Sequence, residues 1–525
     1  MKKITYILFS LFVLTAPLFA QSEIDALRFS REDLHGTARA MSMGGAFGAL
    51  GGDMTGVSVN PAGIAVYRSS EVTGTMNLMK EGSVVGDQKA NRTDFNIDNI
   101  GFVGYFPLRN DVMPLINFGF SYNKLKSFDK RVSAMGDSRG TLLDYIYNDY
   151  QGKLNDGIIG SPDDLEWIED EYDPFLSQPW LPVLGRNAFL LHPDQSGRNL
   201  IPLDTRGEIA FAGIDTRERG YIDNYDFTVG TTINNVLNLG VSLSIKDIFY
   251  SLDSRFDEDF NDGGYTLNNW MTVKGAGVGA KLGAIYRPVN ALRFGLAWHT
   301  PTWYALSETY QAEMLENIES YLPSYDVGYE EGGIHSAKFY NDYDLKTPGK
   351  IVASVATVLG NNFIASLDYE LVDYSKMKLR LPSNSSDDPA WYDGDNEIIS
   401  QDHKLTSTVK AGMEYRITPQ FSGRLGYAWM QNPYDADLVE FGDAVIAGSN
   451  TIHRIEGDTH YFTGGLGYRF NRNFYLDMAI VYKTQKDDLY PFPNYYINDA
   501  LEVDAAPFSL KNNSIRGLLT LGYRF

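Results

Sequence analysis

Apolar and polar residues alternate along this chain in many segments of about ten residues, the length of a membrane-crossing β-strand. In the segment from Leu292, one face carries Leu292, Phe294, Leu296 and Trp298, and the other carries Arg293, Gly295, Ala297 and His299. This pattern is typical of a strand with one face in lipid and the other in a wet lumen. The clearest segments are Glu71–Met79, Leu115–Tyr122, Leu239–Ile245, Leu292–Trp298, Phe363–Leu371, Phe421–Trp429, Phe474–Tyr482 and Ile515–Phe525.

Short and long connections alternate between these segments. The short ones lie at Pro107–Pro114, Asn234-Asn235, Pro288–Ala291, Gly360–Asn362, Thr418–Gln420 and Asn471–Asn473. The long polar ones cover about 82–95, 127–220, 252–269, 304–346, 374–404, 433–458 and 486–513. Tight turns at one end and long loops at the other indicate an outer-membrane barrel. Counting from Glu71 predicts an all-β fold, a transmembrane antiparallel β-barrel of 14 strands that begins and ends on the periplasmic side.

The N-terminus has the features of a cleavable signal peptide. Lys2-Lys3 precede the apolar run Ile4–Phe19, and Ala20-Gln21 is a plausible cleavage site. We therefore assign residues 1–20 to a signal peptide. No later segment offers about 18 consecutive apolar residues, so helical membrane spans are excluded.

The stretch Leu34–Gly63 is rich in glycine and alanine and ends in Asn60-Pro61-Ala62-Gly63. Glycine loses much entropy on ordering, so such a stretch is either a flexible linker or a compact element packed inside something larger. Because the first strand follows closely from the periplasmic side, the nearest enclosure is the barrel lumen. We predict a hatch at residues 21–69 inside a barrel at 70–525, with packing and gating residues Gly44, Gly45, Gly48, Gly51, Gly52, Asn60, Pro61, Ala62 and Gly63.

Composition excludes several other classes of protein. The net charge of −22 argues against a nucleic-acid partner, and the lack of cysteine excludes a disulfide scaffold or an iron–sulfur cluster. The chain has no GxSxG, HExxH or P-loop motif, and its histidines are scattered, so we expect no enzyme, no cofactor and no metal. An acidic stretch could bind Ca²⁺ or bridge lipopolysaccharide, but its spacing fits no EF-hand and a solvated outer loop is the simpler interpretation; its residues are Asp253, Asp257, Glu258, Asp259 and Asp262.

The alternation also predicts charged side chains in the lumen. The cations are Lys246, Lys281, Arg293, Lys410, Arg424 and Arg516, and the carboxylates are Asp368, Glu370, Glu414 and Asp477. One interpretation is a mutually paired ladder that anchors the hatch. The other is that a cation, one of Lys281, Arg293, Lys410, Arg424 and Arg516, contacts the carboxylate of a ligand.

Four motifs in order give the chain a family resemblance. They are the small-residue stretch ending at Asn60–Gly63, the run Gly277–Pro288 with Leu292–Trp298, the run Ala411–Arg416 with Arg424–Ala428, and the run Gly464–Phe470 with Tyr475–Ala479. With them the chain resembles the FadL/TodX family of long-chain fatty acid and hydrophobic-compound transporters. The resemblance implies a 14-stranded barrel with an N-terminal hatch in the outer membrane of a Gram-negative bacterium. It further implies passive uptake of fatty-acid-like compounds, captured by outer loops and released past the hatch and sideways through a gap in the wall.

The chain departs from this family in the insertion at residues 127–220, which is unusually long. The insertion carries its own aromatic residues, among them Tyr145, Trp167 and Trp180, so we expect it to fold as a cap. No ligand-pocket residues are therefore carried over from the family. The expected partners are a hydrophobic ligand, membrane lipid and lipopolysaccharide, with the barrel a monomer. Two alternatives remain open: a haem or haemin receptor using His192, His335 or His453, and an adhesive or structural surface barrel.

Overall fold

The structure, a computed structural model, describes residues 22–203, 210–261, 263–316, 332–360, 362–388, 390–446, 448–498 and 500–525. The signal peptide assigned to residues 1–20 lies outside these ranges. So do Asp262 of the acidic stretch and Asn361 of one predicted turn.

Fourteen antiparallel strands close into a barrel, which confirms the predicted fold class. They are β1 (Glu71–Val85), β2 (Gln88–Pro107), β3 (Leu115–Ser127), β4 (Phe211–Ile233), β5 (Leu237–Phe260), β6 (Gly263–Val289), β7 (Leu292–His299), β8 (Lys350–Leu359), β9 (Phe363–Asp373), β10 (Leu405–Arg416), β11 (Phe421–Met430), β12 (His453–Arg469), β13 (Phe474–Tyr490) and β14 (Phe508–Arg524). Each strand pairs with its neighbours in the chain, and β1 pairs with β14 from Glu71↔Arg524 to Val85↔Leu510.

Strand β1 shows why the alternation predicted this wall. Thr73, Thr75 and Asn77 are buried towards the lumen, whereas Met76 and Leu78 on the opposite face are 52% and 58% exposed. Apolar side chains on the outside of a closed sheet are the expected lipid-facing band of a membrane barrel. The four Tyr-Arg pairs at 286–287, 415–416, 468–469 and 523–524 lie at the short-turn end, close to the ends of their strands.

Two of the predicted outer loops are wrong. Residues 82–95 and 252–269 belong largely to the paired strands of the β1–β2 and β5–β6 hairpins. Strands β4, β5 and β6 are 23, 24 and 27 residues long, so they extend well beyond the membrane at the long-loop end. Above the bilayer the outer face of a strand can carry charged residues in place of lipid-facing apolar ones, and the sequence there resembles a loop. The described residues of the acidic stretch lie on β5, where alternation turns Glu258 inward and leaves Asp253 and Asp259 exposed.

Helices and short strands complete the described chain. The helices are α1 (Glu23–Ser30), α2 (Ala38–Ser42), α3 (Met54–Val59), α4 (Leu142–Asn155), α5 (Trp180–Asn187), α6 (Asp393–Asp402) and α7 (Ala436–Phe441), with 3₁₀ turns at Pro61–Val66, Pro162–Leu165, Pro174–Leu176 and Tyr374–Lys376. The short strands are Lys130–Asp137, Leu191–Pro193, Leu200–Pro202, Trp303–Glu316, Gly332–His335, Phe339–Lys346, Lys378–Arg380, Tyr495–Ile497 and Ala500–Val503. No described helix is long and apolar enough to cross a bilayer.

The cap packs onto the long-loop end of the barrel. Trp180 at the start of α5 lies 4.9 Å from Tyr310 and 4.8 Å from Phe339, measured between ring centroids. The carboxylate of Glu258 accepts hydrogen bonds from the Leu142 N–H at the start of α4, at 3.0 Å from its Oε2. The apolar side chains of α4 and α5 form one buried cluster with those of α1, so the cap and the N-terminal helix share a core.

Candidate functional site

The hatch, residues 22–69, runs through the lumen from the long-loop end to the short-turn end. Its first helix α1 lies among the outer elements, where the Phe29 ring is 5.7 Å from that of Tyr250 on β5. The Val445 N–H donates a hydrogen bond to Glu23 Oε1 at 3.0 Å. Burial, together with the neighbouring Asp402 carboxylate, raises the pKa of Glu23 well above its ordinary value. The last hatch residues lead directly into β1 at the short-turn end.

A charged segment of the hatch, Arg31–His35, crosses the middle of the lumen. Its Glu32 carboxylate lies between two wall lysines, accepting hydrogen bonds from Lys246 Nζ at 2.7 Å and from Lys350 Nζ at 2.6 Å. Asp33 accepts from Lys483 Nζ at 2.9 Å. The hatch therefore supplies carboxylates that neutralise lysines of the lumen wall.

Glycines make the turns of the lower hatch possible. Gly44, Gly45, Gly51 and Gly52 have φ between 62° and 75°, a region that side-chain-bearing residues rarely adopt. Gly48 has an ordinary φ, but a Cβ there would lie 2.1 Å from Ser354 Oγ on β8. The N–H of Gly48 donates to Asp368 Oδ2 at 2.8 Å. These residues, predicted from the sequence, lie in the hatch as expected, and their gating role remains a prediction.

Asn60 joins the end of the hatch to the wall. Its Nδ2 donates to the Gly48 carbonyl at 2.7 Å and to the Ala284 carbonyl of β6 at 3.2 Å, and its Oδ1 accepts from the Ala62 N–H at 3.1 Å. Pro61 begins the 3₁₀ turn Pro61–Val66 that follows. Gly63 packs against Gly51, so the Asn60–Gly63 turn is a fixed element within the hatch.

The wall carries its own glycines where the hatch touches it, and no local pattern in the sequence identified the hatch residues that they contact. A Cβ on Gly426 of β11 would lie 2.2 Å from the Gly44 nitrogen, and one on Gly283 of β6 would lie 2.0 Å from Asn60 Oδ1. In contrast, Gly275 and Gly277, which alternate along β6, make room for the neighbouring strand Trp303–Glu316. A Cβ on Gly275 would meet Ala305, and one on Gly277 would meet Tyr304.

Two cavities flank the charged segment. The central cavity, of about 130 Å³, is lined by Glu32, Lys246, Lys281, Lys350 and Lys410, among other residues. The outer cavity, of about 120 Å³, has an apolar wall that includes Leu27, Phe128 and Leu252, together with cations such as Arg516. Arg31, Asp33 and His35 line both cavities. A basic chamber and a partly apolar chamber thus meet at one strip of the hatch.

The five cations proposed from the sequence as ligand contacts do not form one site. Lys281 and Lys410 line the central cavity; they pair with Asp226 at 2.8 Å and with Glu370 at 2.5 Å. Arg516 lines the outer cavity and donates to the Leu34 carbonyl at 2.9 Å. Arg424 is held by Glu414 and Asp477 at 2.7 and 2.6 Å, and Arg293 lies at the short-turn end, where it donates to the Leu50 carbonyl at 2.6 Å.

Two residues central to this arrangement, Glu32 and Lys350, were missed by the sequence reasoning. Lys350 opens a strand that was not among the clearest segments. The only signal for Glu32 was its position in the charged run Arg31-Glu32-Asp33, between an amphipathic helix and the glycine-rich stretch. The mutual pairing of lumen charges was foreseen as one interpretation, but the part played by the hatch in it was not.

The hydrogen-bond ladder of the wall is interrupted between β2 and β3. These strands pair from Asn99↔Asn123 to Pro107↔Leu115 only, and in the described chain residues 88–97 pair with β1 alone. Arg92 and Asp129 bridge the diverging strands at 2.7 Å. Asp98, at the base of this gap, lies 3.3 Å from His35 Nδ1 of the hatch.

The three histidines proposed for haem binding lie in different environments. His453 is 3% exposed and stacks on Tyr490, with ring centroids 5.0 Å apart. His335 is exposed on a short strand, and His192 is half-buried in the cap. Among the described residues, no group of three or more His, Asp or Glu side chains is placed to hold a metal ion.

Comparison with known proteins gives a family and a set of similar folds. A sequence model of the family described as outer membrane protein transport protein (OMPP1/FadL/TodX) matches residues 224–505. A FadL homologue of Pseudomonas aeruginosa superposes with a TM-score of 0.54 at 13% identity, covering 94% of this chain and 99% of that one. The toluene transporter TbuX of Ralstonia pickettii gives a TM-score of 0.50 at 14% identity, with the same coverage, 94% and 99%. No curated protein sequence matches the chain.

Proposed function

The chain belongs to the OMPP1/FadL/TodX family of outer membrane transport proteins, and from this premise we propose that its ligands are anionic amphiphiles of the long-chain fatty acid type. As a member of the family it is a β-barrel of the Gram-negative outer membrane that transports hydrophobic compounds passively, and it is not an enzyme. The proposal adds the class of ligand and the route. It also holds that the barrel acts as a monomer surrounded by lipid and lipopolysaccharide.

The observation that carries the proposal is the position of Glu32 between Lys246 and Lys350. A carboxylate of the protein's own hatch occupies the place where two lysines would hold the carboxylate of a ligand. Charge-assisted hydrogen bonds of this kind are short and strong, so an incoming carboxylate can compete for the same partners. Exchange of one carboxylate for the other would detach the hatch segment from the wall.

The size of the cavities supports a closed resting state. Sites for drug-sized ligands enclose roughly 300–1,000 Å³, whereas the central and outer cavities measure about 130 and 120 Å³. A long-chain ligand therefore requires movement of the Arg31–His35 segment that separates them. Once the segment moves, a headgroup can lie among the lysines and a tail along the apolar wall of Leu27, Phe128 and Leu252.

The ligand would enter at the cap and leave at the gap between β2 and β3. On the cap, Leu176, Phe189 and Trp167 are 70%, 53% and 43% exposed, which suits capture of apolar molecules at the outer surface. The gap between β2 and β3 adjoins the hatch through Asp98 and His35, and we propose it as the lateral exit. Burial of about 25 cal/mol per Å² of apolar area is enough to drive such capture without an energy source.

The test compares palmitate with methyl palmitate in equilibrium binding to the detergent-purified barrel. We expect palmitate to bind at least tenfold more tightly, since hydrogen bonds to charged groups contribute about 1.5–3 kcal/mol. Lys350→Gln and Lys246→Gln should each reduce that preference, whereas Lys80→Gln, on the outer face of β1, should leave it unchanged. Equal binding of acid and ester by the unaltered barrel would refute the fatty-acid assignment and leave the family's general transport role intact.

A further inference from the structure

Three arginines meet at the periplasmic mouth of the barrel, away from the cavities described above. A cavity of about 160 Å³ there, the rim cavity, is lined by Val66, Arg68, Asn238, Ile285, Arg287 and Arg293. Val66 and Arg68 come from the end of the hatch, and the other residues come from the wall at β5, β6 and β7. Among the residues that the structure describes, no carboxylate lines this cavity.

Each arginine is held by backbone carbonyls. Arg68 Nη1 donates to the Ala65 carbonyl at 2.7 Å, Arg287 Nη2 to the Asn235 carbonyl at 2.5 Å, and Arg293 Nη1 to the Leu50 carbonyl at 2.6 Å. Within the part of the chain that the structure describes, no ion pair includes any of the three. These carbonyls fix the guanidinium groups in place but leave their charge uncompensated.

Two other arginines near the same end are neutralised by carboxylates. Arg524 pairs with Glu71 at 2.5 Å, and Arg39 pairs with Glu414 at 3.0 Å. Arg416 and Arg469 at the same rim have no ion pair among the described residues, so the rim cavity is distinguished by the meeting of three such arginines at one cavity. The Nε of Arg293 is buried and has no hydrogen-bond partner among the described residues, so a strong donor there is unsatisfied. Burying a charged donor without a partner is costly, which points to a ligand that completes the site.

We propose that the rim cavity binds an oxyanion, a carboxylate or a phosphate. Guanidinium groups are planar donors that match both anions with paired hydrogen bonds. The overall charge of −22 repels anions in general, so binding would depend on this local cluster. At the periplasmic rim the anion has two possible sources: the phosphate of an inner-leaflet phospholipid, or a soluble anion of the periplasm.

The test uses the full barrel and two probes that separate these sources. Inorganic phosphate is titrated into the detergent-solubilised barrel and followed by ³¹P NMR. Retention of phosphatidylglycerol, with phosphatidylcholine as comparison, is measured by native mass spectrometry of barrels taken from nanodiscs. Binding of inorganic phosphate supports a soluble anion, and selective retention of phosphatidylglycerol supports a lipid headgroup.

Arg287→Gln and Arg293→Gln should each weaken whichever ligand binds by at least tenfold. Arg416→Gln is the matched control, because Arg416 ends a different strand at the same rim and lies outside the cavity. Heat-modifiable gel migration verifies that each variant forms the barrel. The proposal is overturned if neither probe binds, or if Arg416→Gln weakens binding as much as the cavity variants do.

Discussion

Glu32 of the hatch and Lys350 of the wall lie 2.6 Å apart across the lumen, although 318 residues separate them in the chain. Lys246 completes the arrangement from the opposite side of the carboxylate, at 2.7 Å. Three separate parts of the sequence therefore meet at one carboxylate. The hatch is fixed by charge at its middle and by close backbone packing at its lower end.

Glu32→Gln should make the hatch easier to displace, because the neutral amide binds two lysines less strongly than the carboxylate does. We expect tighter palmitate binding, by about tenfold for a loss of 1.4 kcal/mol of competing interaction, and more frequent conductance events in planar bilayers. Asp87→Asn, in the exposed β1–β2 turn, serves as the control. Unchanged conductance and affinity would show that Glu32 does not restrain the hatch.

Asn60→Ala should loosen the lower hatch without unfolding the barrel. The substitution removes the hydrogen bonds to the Gly48 and Ala284 carbonyls, each contributing about 0.5–1.5 kcal/mol. Leakage of small polar solutes into proteoliposomes should rise while heat-modifiable migration persists. The control is Asn91→Ala, at an exposed site on β2. If the Asn60 variant fails to assemble, the turn is a folding element and its gating role is refuted.

Gly426→Ala should displace the hatch from the wall, because the added Cβ would lie 2.2 Å from the Gly44 nitrogen. Overpacking of this kind costs about 1–3 kcal/mol, so the melting temperature should fall and solute leakage should rise. Gly74→Ala is a matched control, since a Cβ there meets nothing within 4 Å. Equal effects of the two substitutions would indicate that loss of strand flexibility, and not contact with the hatch, is responsible.

Attachment of the cap should weaken as the pH rises. Burial raises the pKa of Glu258 to about 8, above the model-peptide value of 4.5, and outweighs the hydrogen bonds it accepts from Tyr265 and Leu142. The folded state therefore binds this proton more tightly than the unfolded state, and stability declines between about pH 4.5 and pH 8. The protection factors of α4 amides, which correct for the intrinsic rise of the exchange rate with pH, should fall over this interval. In Glu258→Gln, which has no proton to lose, that pH dependence should be reduced.

The sequence predicted the parts of the fold that depend on local pattern. Val72, Met76 and Leu78 alternate with Thr73, Thr75 and Asn77, and that is enough to identify β1. The hatch was foreseen because glycine is needed wherever backbone approaches backbone. The upper halves of β5 and β6 were missed because their outer faces carry charged residues such as Asp253 and Arg255 in place of lipid-facing apolar ones, so the pattern that marks a membrane-crossing strand is absent.

The sites depend on partners that no local pattern contains. The sequence suggested that Arg293 and Arg424 are equivalent lumen cations. Among the described residues, Arg424 has two carboxylate partners and Arg293 has a backbone carbonyl alone, because Arg424 lies next to β13 and Arg293 lies at the rim. Which residue lies opposite a given side chain is decided by strand register and by the path of the hatch.

The direction of the hatch has a consequence for biogenesis. Residues 22–69 descend from the outer elements to the periplasmic rim, and β1 begins there and closes against β14. The contacts of α1 with Val445 and Tyr250 lie at the opposite end of the lumen, so a hatch inserted after closure would have to be threaded through the whole barrel. We therefore expect the hatch to be in place when β1 and β14 pair, so that the barrel is already shut when its last seam forms.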